Sequence, residues 1–160
     1  MTIKSELNHL DREGKVVMVN VYGKAKTKRI AKASGSVIMG KKTMQKVRQG
    51  NLKKGDPFTV ARLAGIMGAK KTHELIPLCH PLSIDHIELD FKWNIKQNTI
   101  NITATCQVDG KTGVEMEAMT AVSVAALTIY DMCKAIDKGI RLTEIKLISK
   151  SGGASGDFWA

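Results

Sequence analysis

Between Ala118 and Tyr130 the chain carries no charged residue for thirteen positions, within a segment whose spacing predicts one long helix from about Thr112 to Lys138. A helix that is apolar all round is buried all round. Thirteen residues are too few to cross a bilayer, which takes about 20. One sheet covers only one side of such a helix, so another subunit is expected to cover the rest. Apolar residues make up 43% of the 160 and aromatics only 4%. The core therefore has to be built from Ala, Val, Ile, Leu and Met, at a length that suits one domain.

The other elements follow from local pattern. Arg29 to Met39 is rich in β-branched and small residues and predicts a strand, and Lys41 to Arg48 a short helix closed by Gly50. Asp56 and Pro57 stand as N-cap and first residue of a longer helix, which Pro77 ends. Gly65 and Gly68 inside that helix each cost roughly 1 kcal/mol relative to Ala, which makes sense if another element packs closely there. Ile87 to Ile95 alternates apolar with polar residues. After a turn at Gln97-Asn98 the alternation resumes from Ile100 to Val108, giving a hairpin. Leu142 to Lys150 reads as a last strand and Ser151 to Gly156 as a loose glycine-rich tail. The order is that of an α+β chain with the ferredoxin-like split β-α-β arrangement. It implies a four-stranded antiparallel sheet with two long helices on one face, plus an extra short helix.

Charge is uneven. Residues 1–54 hold 14 Lys and Arg against 3 Asp and Glu, and residues 55–160 hold 11 against 12. Such a basic segment suits a polyanion, and equally suits a solvated face. The chain is expected to form one domain over residues 1–160, with a partly flexible basic segment at 1–28 and the tail at 151–160. Three cysteines without C-x-x-C spacing, Cys79, Cys106 and Cys133, favour neither disulfides nor a structural zinc site. No signal segment opens the chain and no run of 18 apolar residues occurs, so a cytoplasmic location and no membrane are expected.

Several residues have types and spacings suited to chemistry. Asp131 and Lys134 share a helix face. A partly desolvated carboxylate and amine can have pKa values drawn toward neutrality and act as base and acid, although spacing alone favours an ordinary surface ion pair. Glu115 and Glu117 begin the same helix, where acids offset the helix dipole, and Glu117 roughly shares a stripe with Asp131. Pro77 and Pro81 stiffen the loop holding Leu78, Cys79 and His80. That loop suits substrate positioning or proton transfer better than metal binding, because adjacent residues chelate poorly. Cys79 suits a small buried thiol, the commoner role, better than a nucleophile. Gly50 and Gly55 imitate a phosphate loop, but Asp56-Pro57 stands where Lys-Ser/Thr is required. Phosphates are expected instead at Lys53, Lys54, Arg29 or Lys150 and the terminal glycine-rich loop.

Taken together, KGD (Lys54 to Asp56), ARLAGIMGAKKT (Ala61 to Thr72), ELIPLCHPL (Glu74 to Leu82), the run Gly110 to Ala135 and KSGGASGDF (Lys150 to Phe158) resemble the cyclic pyranopterin monophosphate synthase family, molybdenum cofactor biosynthesis protein C. SELNHLD and MVNV near the start extend the resemblance to nearly the whole chain. It implies a homohexamer, a trimer of dimers, that needs no cofactor and no metal. The implied reaction converts 3′,8-cyclo-7,8-dihydroguanosine 5′-triphosphate, the product of an upstream radical SAM enzyme, to cyclic pyranopterin monophosphate and diphosphate. Carried over by motif, Asp131 and Lys134 are the catalytic pair. Leu78, Cys79, His80, Met116 and Glu117 line the substrate pocket, and Glu115, Arg29, Lys54 and Lys150 complete it. Asn20, Tyr22 and Ala154 depart from the family pattern of Asp, Ser and Lys.

A nucleic-acid-binding module shares the strand–helix order and suits a pI of 9.6. It requires stacking aromatics on its central strands, and neither Arg29 to Met39 nor Thr99 to Val108 holds one. No nucleic acid is therefore expected as a partner. An oligomeric scaffold without chemistry has no use for the Asp131–Lys134 pair or the rigid His80 loop.

Overall fold

The computed structural model describes residues 9–11, 13–153 and 155–160. Ser5 to Asn8 of the SELNHLD motif and Ala154 lie outside the described residues. The elements in chain order are β1 (Thr27–Ile38), α1 (Lys41–Arg48), α2 (Pro57–Lys70), α3 (Thr72–Leu75), β2 (His86–Asn94), β3 (Thr99–Gly110), α4 (Glu115–Cys133), β4 (Arg141–Ser151) and β5 (Phe158–Trp159). The five strands form one antiparallel sheet in the order β2-β3-β1-β4-β5. The expected four-strand count lacks β5, whose two residues pair Phe158 with Lys150 and Trp159 with Ser149. So short a strand carries no alternation to read.

Small residues set the spacing between the layers. Ala31 and Ala33 on β1, Ala104 on β3, and Ala118, Ala121, Ala125 and Ala126 on α4 are all buried. Gly35 lies directly under α4, where an added Cβ would meet Val122 Cγ1 at 2.6 Å. Without bulky groups between them, helix and sheet approach closely, and Val37, Ile100, Ile102, Val122 and Ile129 fill the remaining core. Gly65 and Gly68 have the expected reason: Cβ atoms there would meet Leu89 Cδ2 at 2.6 Å and Val124 Cγ2 at 2.8 Å.

Asp56 caps α2 as expected, its carboxylate accepting from the N–H groups of Phe58 and Thr59. The helix does not run on to Pro77. It stops at Lys70, where buried Thr72 folds its hydroxyl onto the Ala69 carbonyl. After the single turn α3, Ile76 is extended, as a residue before proline prefers. Similarly, α4 spans Glu115–Cys133 rather than Thr112 to Lys138. Asp137 is used elsewhere: its carboxylate accepts from the Gly40 and Gly139 N–H groups and the Thr43 hydroxyl.

α4 has the length and apolarity of a membrane-crossing helix, yet Ala118, Ala121, Val122, Ala125, Ala126 and Ile129 pack inside the fold. It is not buried all round within one chain. Leu127 is 59% exposed, and on α2, which packs against α4, Leu63 is 60% and Met67 54% exposed. On the edge strand β2, Phe91 is half-buried against the core and Trp93 is exposed; Phe58 stacks on Phe91 with centroids 5.1 Å apart and tilts against Trp93 at 4.7 Å. The opposite face of the sheet is polar, with Lys32, Glu88, Asp90, Lys92, Thr103 and Thr105 around one groove.

Candidate active site

The residues expected to form the site fall into three clusters, two at the N-terminal end of α4 and one at its far end. The first surrounds a cavity of about 390 Å³. Leu78, Cys79 and His80 come from the proline-bracketed loop, and Glu115, Met116 and Glu117 from the first turns of α4. The N-terminal segment contributes His9, Val19, Val21 and Lys24; His9 falls in SELNHLD and Val19 and Val21 in MVNV, but none is among the expected site residues. Only the half-buried alternation of Val19 and Val21 with exposed Asn20 and Tyr22 marks a wall there.

Glu117 is the unusual group in this cavity. It is 4% exposed, on the face of α4 that also carries Ala121. Burial pushes its carboxyl up to about 7; a backbone N–H pulls it down and the neighbouring Glu115 adds a smaller upward push. Burial likewise pushes up the Cys79 thiol, with Glu117 adding to it. A thiol so placed is a poor source of thiolate, which fits a packing role rather than a nucleophile, although Cys79 is half-buried where a buried thiol is expected. His80 Nε2 lies 2.8 Å from the Val19 carbonyl oxygen. Because that oxygen only accepts, Nε2 carries the proton.

A narrow cleft adjoins this cavity and shares Gly113 and Glu115 with it. Lys150 pairs with Glu115 at 2.9 Å. Arg29 donates to the Gly152 carbonyl at 2.8 Å and reaches the Gly110 and Lys111 carbonyls at 3.4 and 3.5 Å. Ser155 and Gly156 close the cleft. The backbone here tolerates only glycine: Gly152 and Gly153 have φ of +79° and +142°, and a Cβ on either would collide with the Lys28 carbonyl or the Arg29 guanidinium. Two cations over a glycine-rich turn make a cradle for an anion.

At the other end of α4, Asp131 lies between two ammonium groups, Lys134 at 2.7 Å and Lys54 at 2.8 Å. Lys54 also donates to the Asp131 carbonyl. The side chains are about half exposed. The expected drift of both pKa values toward neutrality does not occur. Hydrogen bonds from Lys134 and then Lys54 hold the Asp131 carboxyl down at about 2, and Asp131 pushes Lys134 up. In water-exposed surroundings the pairing outweighs desolvation, so both partners are ionised at neutral pH and Lys134 is an acid rather than a base. Lys53, Lys54 and Lys46 also border a neighbouring cavity of about 330 Å³ floored by Leu52, Met132 and Ile136.

One chain therefore brings together Leu78, Cys79, His80, Glu115, Met116, Glu117, Arg29 and Lys150, but not Asp131, Lys134 and Lys54. Glu115 and Asp131 are sixteen residues apart on one helix, or about 24 Å at the helical rise. Lys54, expected beside Arg29 and Lys150, belongs instead with Asp131. Among the described residues, no group of three or more His, Cys, Asp or Glu is placed to hold a metal ion.

Comparison with known proteins gives one consistent result. The MoaC family matches residues 18–153. A cyclic pyranopterin monophosphate synthase of Rhodospirillum rubrum is 53% identical over 154 residues, covering 96% of this chain and 93% of its own. The proteins of the same name from Clostridium botulinum and Desulfitobacterium hafniense are 53% and 54% identical, covering 98% and 96% of this chain and 98% and 93% of their own. The matched span holds both ends of α4, the His80 loop, Arg29 and Lys150, and this chain belongs to the MoaC family.

Proposed function

We propose that this chain is a cyclic pyranopterin monophosphate synthase, a diphosphate-releasing lyase that converts 3′,8-cyclo-7,8-dihydroguanosine 5′-triphosphate to cyclic pyranopterin monophosphate. The observation that carries this reading is full-length relatedness to proteins of that name, spanning every charged group of the candidate site. The chain would act as a single ferredoxin-like domain in the cytoplasm, on a substrate supplied by an upstream radical SAM enzyme.

In this reading the ring system enters the cavity beside His80 and Glu117. Glu117, titrating near 7, exchanges a proton readily at neutral pH. The triphosphate lies along the cleft of Arg29 and Lys150. Asp131 holds Lys134 as an ammonium, which supplies a proton as the purine-derived ring opens and the pyranopterin closes. Lys54, beside the same carboxylate, stabilises negative charge on the departing diphosphate.

Because about 24 Å separates the two ends of α4, the pair acts on the pocket of a second copy. The exposed Leu63, Met67 and Leu127 give a copy an apolar surface to dock on, consistent with dimers that assemble into a hexamer. The test is anaerobic incubation of the purified protein with the cyclic dihydro-triphosphate. Stoichiometric diphosphate and a pterin fluorescent after oxidation are expected. A folded protein that yields neither would sink the assignment.

A further inference from the structure

We propose that Lys111 is a positioning residue that latches the segment Val19–Lys24 over the candidate pocket and so sets how firmly substrate is held there. For the identity of the substrate this rests on the synthase reading; for the latch it rests on geometry alone. The segment precedes β1 and pairs with no strand. Among the described residues, two hydrogen bonds tie it to the body of the molecule. His80 Nε2 donates to the Val19 carbonyl at 2.8 Å, and the Lys111 ammonium donates to the Tyr22 carbonyl at 2.8 Å. The other bonds are internal, from the Tyr22 N–H to Asn20 Oδ1 and from the Lys24 N–H to the Val21 carbonyl.

The segment also separates two spaces. Val19 and Val21 wall the pocket that contains Glu117. Val21 and His80 also wall a second cavity of about 300 Å³, on whose border Lys111 lies. Any ligand that takes the His80 N–H competes with the Val19 carbonyl for it. Lys111 is then the anchor left to keep the segment closed. Its ammonium lies 5.6 Å from the centre of the Tyr22 ring, within cation–π range. That ring is 87% exposed, so Lys111 is the contact that gives it a place.

The test compares Lys111→Ala, Lys111→Arg and Tyr22→Ala in two assays. The first is steady-state turnover of the triphosphate. The second is the rate of tryptic cleavage after Lys24, read without substrate. Lys111→Ala is expected to raise KM about tenfold, the loss of one charge-assisted hydrogen bond, with kcat within about twofold of the unmodified value. It is also expected to speed cleavage after Lys24. Lys111→Arg, which keeps both the donor and the cation over the ring, is expected to restore both readouts, and Tyr22→Ala to fall between. Unchanged cleavage in Lys111→Ala overturns the latch. Faster cleavage with unchanged KM overturns its role in the site. Since cleavage needs no substrate, an inactive unmodified enzyme counts against the synthase reading and not against the latch.

Discussion

Glu117 and Asp131 are carboxylates on one helix with opposite environments, and their titrations follow from that difference. Glu117 is buried, and its folded pKa of about 7 lies above the ordinary 4.5. The neutral acid is the stable buried form. Its contribution to stability is therefore complete below about pH 4.5 and is lost as pH rises through about 7, by roughly 3 kcal/mol. Glu117→Gln removes this dependence. Thermal unfolding should show the variant gaining on the unmodified protein between pH 5 and pH 8, and parallel curves would contradict the burial argument. Asp131 is the reverse case. Its pairing with Lys134 and Lys54 is present above the ordinary carboxylate range and is lost only as pH falls through about 2. Across neutral pH the pair therefore does not titrate, and the pH profile of turnover should reflect Glu117, with an apparent pKa near 7 absent in Glu117→Gln.

The Asp131–Lys134 pair was legible in sequence because i,i+3 spacing fixes its geometry. Its third member was not, since Lys54 reaches Asp131 across 77 positions and no local pattern encodes that approach. The pKa shifts run opposite to the expectation for a related reason. Residues following an apolar run need not be desolvated, and the end of α4 stands half in water.

Among the elements, α2 owes its seat to two residues that weaken it as an isolated helix. Ala in place of Gly65 gains up to about 1 kcal/mol in helix propensity. It also drives a methyl toward Leu89 Cδ2 and, at 2.9 Å, the Ala121 carbonyl oxygen. Leu89 can turn aside, but the α4 backbone cannot without moving the whole helix. Overpacking of about 1–3 kcal/mol outweighs the gain, so Gly65→Ala should unfold at lower urea than the unmodified protein. A rise in midpoint would show that α2 is free to shift. Element identity was readable wherever period and caps agreed, as at Asp56-Pro57 and along β2 and β3. Element ends were not, because Thr72 stops α2 and Cys133 ends α4 through contacts that sequence spacing does not record. β5 exists only because the tail returns to pair with β4.

At the scale of the whole molecule, an interface explains two otherwise separate observations. The outer face of the helix layer exposes Leu63, Met67 and Leu127, and the proposed catalytic pair lies at the wrong end of α4 to serve its own pocket. The charge-free stretch of α4 signalled the first in sequence; the second needed the fold. Leu127→Asp should yield smaller species by light scattering with unchanged circular dichroism and little turnover. An intact, active assembly would remove the interface from that face.

Whether the site spans two copies is tested by mixing two inactive variants. His80→Ala loses the pocket and Lys134→Ala loses the acid, each on its own chain. If the site spans two copies related by a twofold axis, random reassociation pairs an intact pocket with an intact acid at about one quarter of sites. The account predicts that the mixture recovers about that fraction of unmodified diphosphate release. A mixture no more active than its parents would contradict it and place the whole site within one chain.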